Sequence, residues 1–303
     1  LFLDRRAVSR RAPQEGQQAM PGPTRQPPPA PCTAAPQAPA DTAPLRSERR
    51  GAVLRLTLAR APVNALDDAL VDALCAALDD AVAAPGVALV HLRSDERAFC
   101  AGADLALMRD SIASTEGLER MLALVRRMQA LAAKLESAPV VTLAEIGGAA
   151  LGGGFELALA CDLRIAADDA RVGLPEAGLG LLAAAGGTQR LTRLAGPALA
   201  RRLLLGAEVL DGRDACALGL VHWAVPRTDL PAAADALAER IAALPPAALA
   251  AAKDCIAAAL DPSRDGFAAE IDHTRRLYRE HATRALVGAF LARGATRRQG
   301  EPA

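Results

Sequence analysis

Two glutamates twenty positions apart, Glu156 and Glu176, each stand beside glycines in a way that points to chemistry. The denser segment is Gly147-Gly-Ala-Ala-Leu-Gly-Gly-Gly-Phe-Glu156, which lies between a strand-like and a helix-like pattern. Glycines let the backbone turn sharply and let a ligand come close to main-chain amides. A helix starting at Gly153 presents unpaired N–H groups and the positive end of its dipole, suited to an oxygen that becomes negative during a reaction. Glu156 follows Gly153 by about one helical turn, so its carboxylate falls near that anion site. Taken alone, the segment also reads as a glycine-rich packing turn with a solvated first-turn glutamate.

Two further segments carry polar groups among glycines. Arg97-Ala-Phe-Cys-Ala-Gly-Ala-Asp-Leu105 is a tight turn whose Asp104 is placed to cap the next helix. Gly173-Leu-Pro-Glu176-Ala-Gly-Leu-Gly is followed by Gly186-Gly-Thr-Gln-Arg190-Leu; a lone glutamate beside proline reads first as a solvated loop residue. A nucleotide site fits poorly. Gly-x-Gly-x-x-Gly is unmatched, no Lys-Ser/Thr follows the glycines, and no acidic ribose ligand is evident. The six cysteines are scattered without zinc-site spacing, and read as small buried hydrophobes in a reducing compartment, hence a cytoplasmic expectation.

The elements that must position these groups follow from pattern. Residues 1–47, rich in proline, alanine and arginine, show no period and are expected to be a disordered arm. The chain starts with Leu1 and its first methionine is Met20, so a native start at or after Met20 is expected. Ala52 to Leu58 alternates like a strand, Leu66 to Val82 carries leucines at helical spacing, and Val87 to Leu92 is a buried strand. Leu118 to Leu135 reads as an amphipathic helix, Pro139 to Ile146 as a strand, Gly153 to Ala160 as a helix and Leu163 to Ala166 as a strand. That alternation predicts an α/β core with parallel pairing over residues 48–230. Residues 231–303 read as all helical: Ala232 to Ala243, Pro246 to Leu260 and Arg264 to about Arg293. Formal net charge is zero and lysine occurs only at Lys134 and Lys253, which argues against nucleic acid as partner. No apolar run reaches the length of a membrane span, so no membrane partner is expected either.

The three glycine-bearing segments, in this order and spacing, resemble the enoyl-CoA hydratase/isomerase (crotonase) family. The resemblance begins near Ala61-Pro-Val-Asn-Ala-Leu66 and runs through Ala98–Leu105, Ala150-Leu-Gly-Gly-Gly-Phe-Glu-Leu-Ala-Leu-Ala-Cys-Asp162, Pro175-Glu176 and Gly186–Leu191. It implies a crotonase-like spiral of βαβ units with a C-terminal all-helical trimerisation region, as a homotrimer or a dimer of trimers. It also implies an acyl-CoA thioester as substrate, with no separate cofactor and no metal, because coenzyme A is part of that substrate. By motif position the oxyanion donors are the N–H groups of Ala103 and Gly153. The chain at Ala101, Asp104 and Leu105 lines the CoA site, and Arg293 matches a basic tail residue for the CoA phosphate.

Hydratases of that family carry two glutamates, and this chain has one at each matching position. The resemblance therefore assigns catalysis to Glu156, mainly activating water, and to Glu176, exchanging the Cα proton. Two carboxyls sharing one proton can supply both base and acid from one face. The expected reaction is hydration of a 2-enoyl-CoA to a 3-hydroxyacyl-CoA, with double-bond isomerisation or a non-catalytic acyl-CoA-binding subunit as alternatives. Three features depart from the family pattern. Glycines Gly147 and Gly148 stand where many members have asparagine, Ala183-Ala-Ala-Gly-Gly187 stands for Pro-Gly-Ala-Gly-Gly, and the Glu-Gly pair of the last helix is missing near Ala285-Leu286.

Overall fold

A computed structural model describes residues 43–299, with side chains to residue 293; the expectations for residues 1–42 and for Met20 lie outside these. In chain order the elements are β1 (Leu45–Arg50), β2 (Val53–Leu58), α1 (Asp68–Ala83), β3 (Leu89–Ser94), β4 (Ala98–Cys100), α2 (Leu105–Ala113), α3 (Thr115–Ser137), β5 (Val141–Ile146), β6 (Ala149–Leu151) and α4 (Gly153–Ala160). They continue with β7 (Leu163–Ala167), β8 (Arg171–Gly173), a 3-10 turn Pro175–Leu179, α5 (Gly187–Leu205), β9 (Val209–Asp211), α6 (Gly212–Ala217), β10 (Trp223–Val225), α7 (Leu230–Ala242), α8 (Pro246–Ala259), α9 (Gly266–Leu277) and α10 (His281–Gln299).

The core sheet runs β1-β2-β3-β5-β7-β10 and is parallel throughout except for the β1–β2 hairpin. Its inner strands are buried along nearly their whole length, because α7 packs on β3, β5 and β7 while α1 and α3 pack together and join the same core. This is the α/β arrangement with a helical C-terminal region expected from the sequence. A second sheet of three-residue strands, β4-β6-β8-β9, lies beside it. Each of β4, β6 and β8 leads into one of the three glycine-bearing segments, so this small sheet sets their mutual spacing.

Local chemistry starts most of the helices. Asp67 caps α1 by accepting from the Leu70 N–H at 2.9 Å, and Asp104 caps α2 by accepting from Ala106 and Leu107. Ser114 caps α3 through the Gly117 N–H, and Leu124, Met128, Leu131, Ala132 and Leu135 form its buried stripe. Helix α4 is buried along its full length, with Glu156 its only charged residue. Its C-terminal end is held by the buried Arg164, whose guanidinium donates to the carbonyls of Ala158 (3.2 Å), Cys161 (2.7 Å) and Leu220 (2.8 Å). Lys253 of α8 donates to Asp162 and to the carbonyls of Leu135 and Val140, tying the C-terminal helices to the core.

Three sequence expectations are corrected. The arm ends earlier than residue 47, since Leu45 to Ser47 belong to β1; that strand is an edge strand of charged, exposed residues and so lacks the alternation that marks a half-buried one. Leu66 is not the start of α1 but a bridge partner of Ala103, one residue ahead of the Asp67 cap. The single helix drawn over Arg264 to Arg293 is two, α9 and α10. They are separated at Tyr278–Glu280 by tightened turns, Arg279 N–H to Arg276 and Glu280 N–H to Leu277, with no glycine or proline to announce the break.

Asn64 holds the loop from which Ala103 emerges. It is fully buried in left-handed backbone (φ 53°), and its side-chain amide donates to Ser94 Oγ (2.7 Å), Ala98 O (3.1 Å) and Phe99 O (3.0 Å). Asn64→Ala is expected to cost about 2–4 kcal/mol, because it orphans buried carbonyls and puts a strained φ on alanine. Urea unfolding checks this; a loss under about 1 kcal/mol, the size of an ordinary point change, would contradict the role.

Candidate active site

Three backbone segments meet at one point. The turn after β4 places Gly102 against the start of α4: a Cβ on Gly102 would stand 3.0 Å from the Leu151 carbonyl oxygen and 3.4 Å from the Gly153 nitrogen. At Gly154 a Cβ would run into the Cys100 carbonyl, so only glycine lets α4 come this close to β4. The parallel bridge between Leu66 and Ala103 uses the Leu66 N–H to Gly102 O and the Asp104 N–H to Leu66 O. The intervening Ala103 N–H thus turns away from Leu66. Neither Ala103 nor Gly153 is a donor in the turn and loop hydrogen bonds of the described residues.

Glu156, one turn into α4, is 3% exposed and its Oε1 accepts from the Gly187 N–H at 2.6 Å. A Cβ at Gly187 would meet that oxygen at 2.8 Å, which explains glycine there. The space beside the carboxyl is lined by Leu66, Met128, Leu131, Ala132, Leu157 and Ala185, all apolar. Burial therefore pushes the Glu156 carboxyl up to about 7; the neighbouring Glu176 charge adds to the rise, while the Gly187 and Ala185 amides and Arg190 hold it back. Glu176 sits half-buried on the 3-10 turn, with Oε1 against Gly152, where a Cβ would stand 3.0 Å away. Its Oε2 is buried without a hydrogen-bond partner among the described residues, and burial raises its carboxyl too. The reading of Glu176 as a solvated loop residue is corrected: the 3-10 turn opened by Pro175 aims it inward.

The structure thus brings together Glu156, Glu176, Gly153 and the Gly102-Ala103 turn. The other predicted residues lie at or beyond the rim. Ala101 and Leu105 are exposed on the same loop. Asp104 caps α2 and pairs with Arg60 at 2.7 Å; burial alone would raise its carboxyl, but the bonds from Arg60, Ala106 and Leu107 outweigh that and lower it. Arg293 is exposed on α10, and no hydrogen bond or ion pair among the described residues ties it to the cluster.

Sequence reasoning missed the groups that hold the third segment. Gln129 of α3 donates to Ala184 O at 2.6 Å, and Arg190 donates to Ala185 O at 3.1 Å and to Glu136 at 2.7 Å. The Ala183–Ala185 stretch that departs from the family pattern is thereby fixed, with Ala183 and Ala185 buried. At the other departure, Gly147 has room for a Cβ, whereas one at Gly148 would strike the Arg97 carbonyl. Arg190 lay within a segment singled out for its glycines, but its partners on α3 leave no local signal.

Residues 48–295 match the family described as Enoyl-CoA hydratase/isomerase. The chain is 40% identical over 196 residues to a probable enoyl-CoA hydratase of Bacillus subtilis, covering 64% of this chain and 74% of that one. It is 41% identical over 179 residues to the human mitochondrial methylglutaconyl-CoA hydratase, covering 58% of this chain and 51% of the relative. The crystal structure of an enoyl-CoA hydratase from Bacillus anthracis superposes with a TM-score of 0.77 at 31% identity, covering 82% of this chain and 96% of that one.

The buried carboxyl has a cost that can be measured. A folded value of about 7 against an ordinary 4.5 means the folded state keeps a proton that the unfolded chain releases in between. Stability from this group is therefore full below about pH 4.5 and lost as pH rises through about 7. Glu156→Gln is expected to raise unfolding stability by about 2–3 kcal/mol at pH 8 and by much less at pH 5. Equal gains at both pH values in denaturant titrations would contradict a buried charge.

Proposed function

The chain belongs to the enoyl-CoA hydratase/isomerase family, and on that premise we propose that it adds water across the 2,3 double bond of a 2-enoyl-CoA to give a 3-hydroxyacyl-CoA. The observation that carries this reading is the pair of carboxyls, Glu156 and Glu176, held beside one glycine contact and both raised by burial. Moving a double bond asks for one carboxyl that ferries a proton between two carbons. Hydration asks for two, one to take a proton from water and one to give a proton to C2.

In this reading the thioester oxygen accepts hydrogen bonds from the Ala103 and Gly153 N–H groups. As the water oxygen bonds to C3, Glu156 takes the water proton and the double-bond electrons move to the thioester oxygen. The two amides stabilise the resulting enolate, helped by the N-terminal end of α4. The enolate collapses by taking the proton of Glu176 at C2. The pair begins with one proton, on Glu176, and ends with one, on Glu156; transfer between the two carboxyls resets it. A carboxylate with affinity raised to about 7 is a far better acceptor than an ordinary one.

The backbone at Ala101, Asp104 and Leu105 would border the CoA thioester, which is substrate and not cofactor, and the exposed Arg293 would meet its phosphate. The same reading has copies of the chain assemble as a trimer or a dimer of trimers through the C-terminal helices. Phe267, Ile271, Tyr278 and Phe290, all exposed on or beside α9 and α10, support that surface.

Purified protein is expected to hydrate crotonyl-CoA or a longer 2-enoyl-CoA, followed as loss of the conjugated thioester absorbance with product identification. Glu156→Gln and Glu176→Gln should each lower kcat by about 100-fold or more with substrate binding largely kept. Wild-type turnover in either variant removes that residue from the mechanism, and an isomerised product would replace hydration by isomerisation. Because the active pair holds one proton, kcat/KM should fall as pH rises past about 7.

A further inference from the structure

Arg190 belongs to neither the glycine contact nor the carboxyl pair, yet it is built into the wall behind Glu156. It lies one turn into α5, and its side chain is 12% exposed. One guanidinium nitrogen donates to Ala185 O at 3.1 Å and the other to Glu136 Oε2 of α3 at 2.7 Å, while Nε is buried without a partner among the described residues. The guanidinium packs so closely on Gly186 that a Cβ there would run into it. Gly186 accordingly takes left-handed backbone (φ 107°), and the next residue, Gly187, aims its N–H at Glu156 Oε1. The charged groups bearing on Glu156 are thus Glu176 from the 3-10 turn and Arg190 from α5, and Arg190 is itself paired with Glu136 from α3.

We propose that Arg190 is a positioning residue for the Glu156 carboxylate: it fixes the Ala185–Gly187 turn that hydrogen-bonds Glu156, and its positive charge favours the ionised form of Glu156 that acts as a base. Glu136 is the counterweight. It holds the guanidinium in place and partly cancels the field that reaches Glu156. This rests on the hydratase reading for its consequence in turnover, but not for its effect on the titration of Glu156. The electrostatic sign is clear: a nearby positive charge favours the ionised carboxylate and a nearby negative charge disfavours it. Glu136→Gln leaves Arg190 its bond to Ala185 O, so a purely structural role gives no downward shift there. An electrostatic role makes the two removals opposite.

The test compares Arg190→Gln, Glu136→Gln and Arg190→Lys in the full chain. The first readout is the pH profile of crotonyl-CoA hydration, and the second is the Glu156 side-chain carboxyl titration by carbon-13 NMR, assigned by its loss in Glu156→Gln. Arg190→Gln should move the limb near pH 7 upward by about half to one pH unit, Glu136→Gln should move it downward by a smaller step, and Arg190→Lys should stay near wild type. Shifts of the same sign in the two glutamine variants, or none, would overturn the proposal. If Arg190→Gln does not fold, Glu136→Gln and Arg190→Lys decide alone: an upward or absent shift in Glu136→Gln overturns it. Opposite NMR shifts in a protein that hydrates no enoyl thioester would remove the hydratase reading and keep this assignment.

Discussion

Main chain passes main chain at Gly102 and at Gly152–Gly154 with no room for a side chain between, and the rest of the site hangs on that approach. A Cβ at Gly154 would collide with Cys100, and one at Gly102 would crowd the Gly153 nitrogen. Because the two segments touch, the start of α4 and the turn after β4 lie side by side, and Glu156 is carried in one turn behind them. The contact is supported from outside. Asn64 gathers three acceptors under the β4 loop, and Arg164 gathers three carbonyls around the far end of α4. Short helices gain little from their own hydrogen bonds, so an eight-residue helix fixed at both ends by other parts of the chain owes its position to them.

Burying a glutamate among leucines, a methionine and alanines is unfavourable, and the fold tolerates it through a few aimed dipoles and one cation. The Gly187 amide meets Glu156 directly, and Arg190 stands behind the turn. These forces oppose desolvation without cancelling it, which leaves a carboxyl poised near neutrality instead of permanently charged or permanently neutral. Burial raises the Glu176 carboxyl as well, half-buried against a glycine with one oxygen unpartnered among the described residues.

Much of this was legible in the sequence because it is written in local signals. The glycine triplet, the Pro-Glu step and the cap at Asp104 each announce a backbone requirement within a few residues. The alternation of strand and helix follows from hydrophobic period, whereas Gly153–Ala160, buried on every side, shows none and is marked only by the glycines that open it. What escaped depends on distance along the chain. Glu136 and Arg190 are partners across 54 positions, and three-residue strands such as β6 and β8 are too short to show a period. The polar strand β1 and the break between α9 and α10 escaped for a third reason: neither uses the residues that ordinarily mark such features. Family resemblance supplied the pairing of Glu156 with Glu176, which neither glutamate suggests by itself.

The hairpin strand β1 closes one end of the parallel sheet with Arg46, Ser47, Glu48, Arg49 and Arg50, all exposed, and several are already engaged: Arg46 with Asp95, Arg50 with Glu48. A sheet that ended on β2 would offer the nearly fully buried run Val53–Leu58 as a template for any extended chain. With β1 in place, a second copy that tried to add a strand would have to strip water from these arginines and break their pairs. The sheet is therefore terminated chemically as well as geometrically, and growth into fibres through this edge is opposed by residues that take no part in the chemistry at the other side of the molecule.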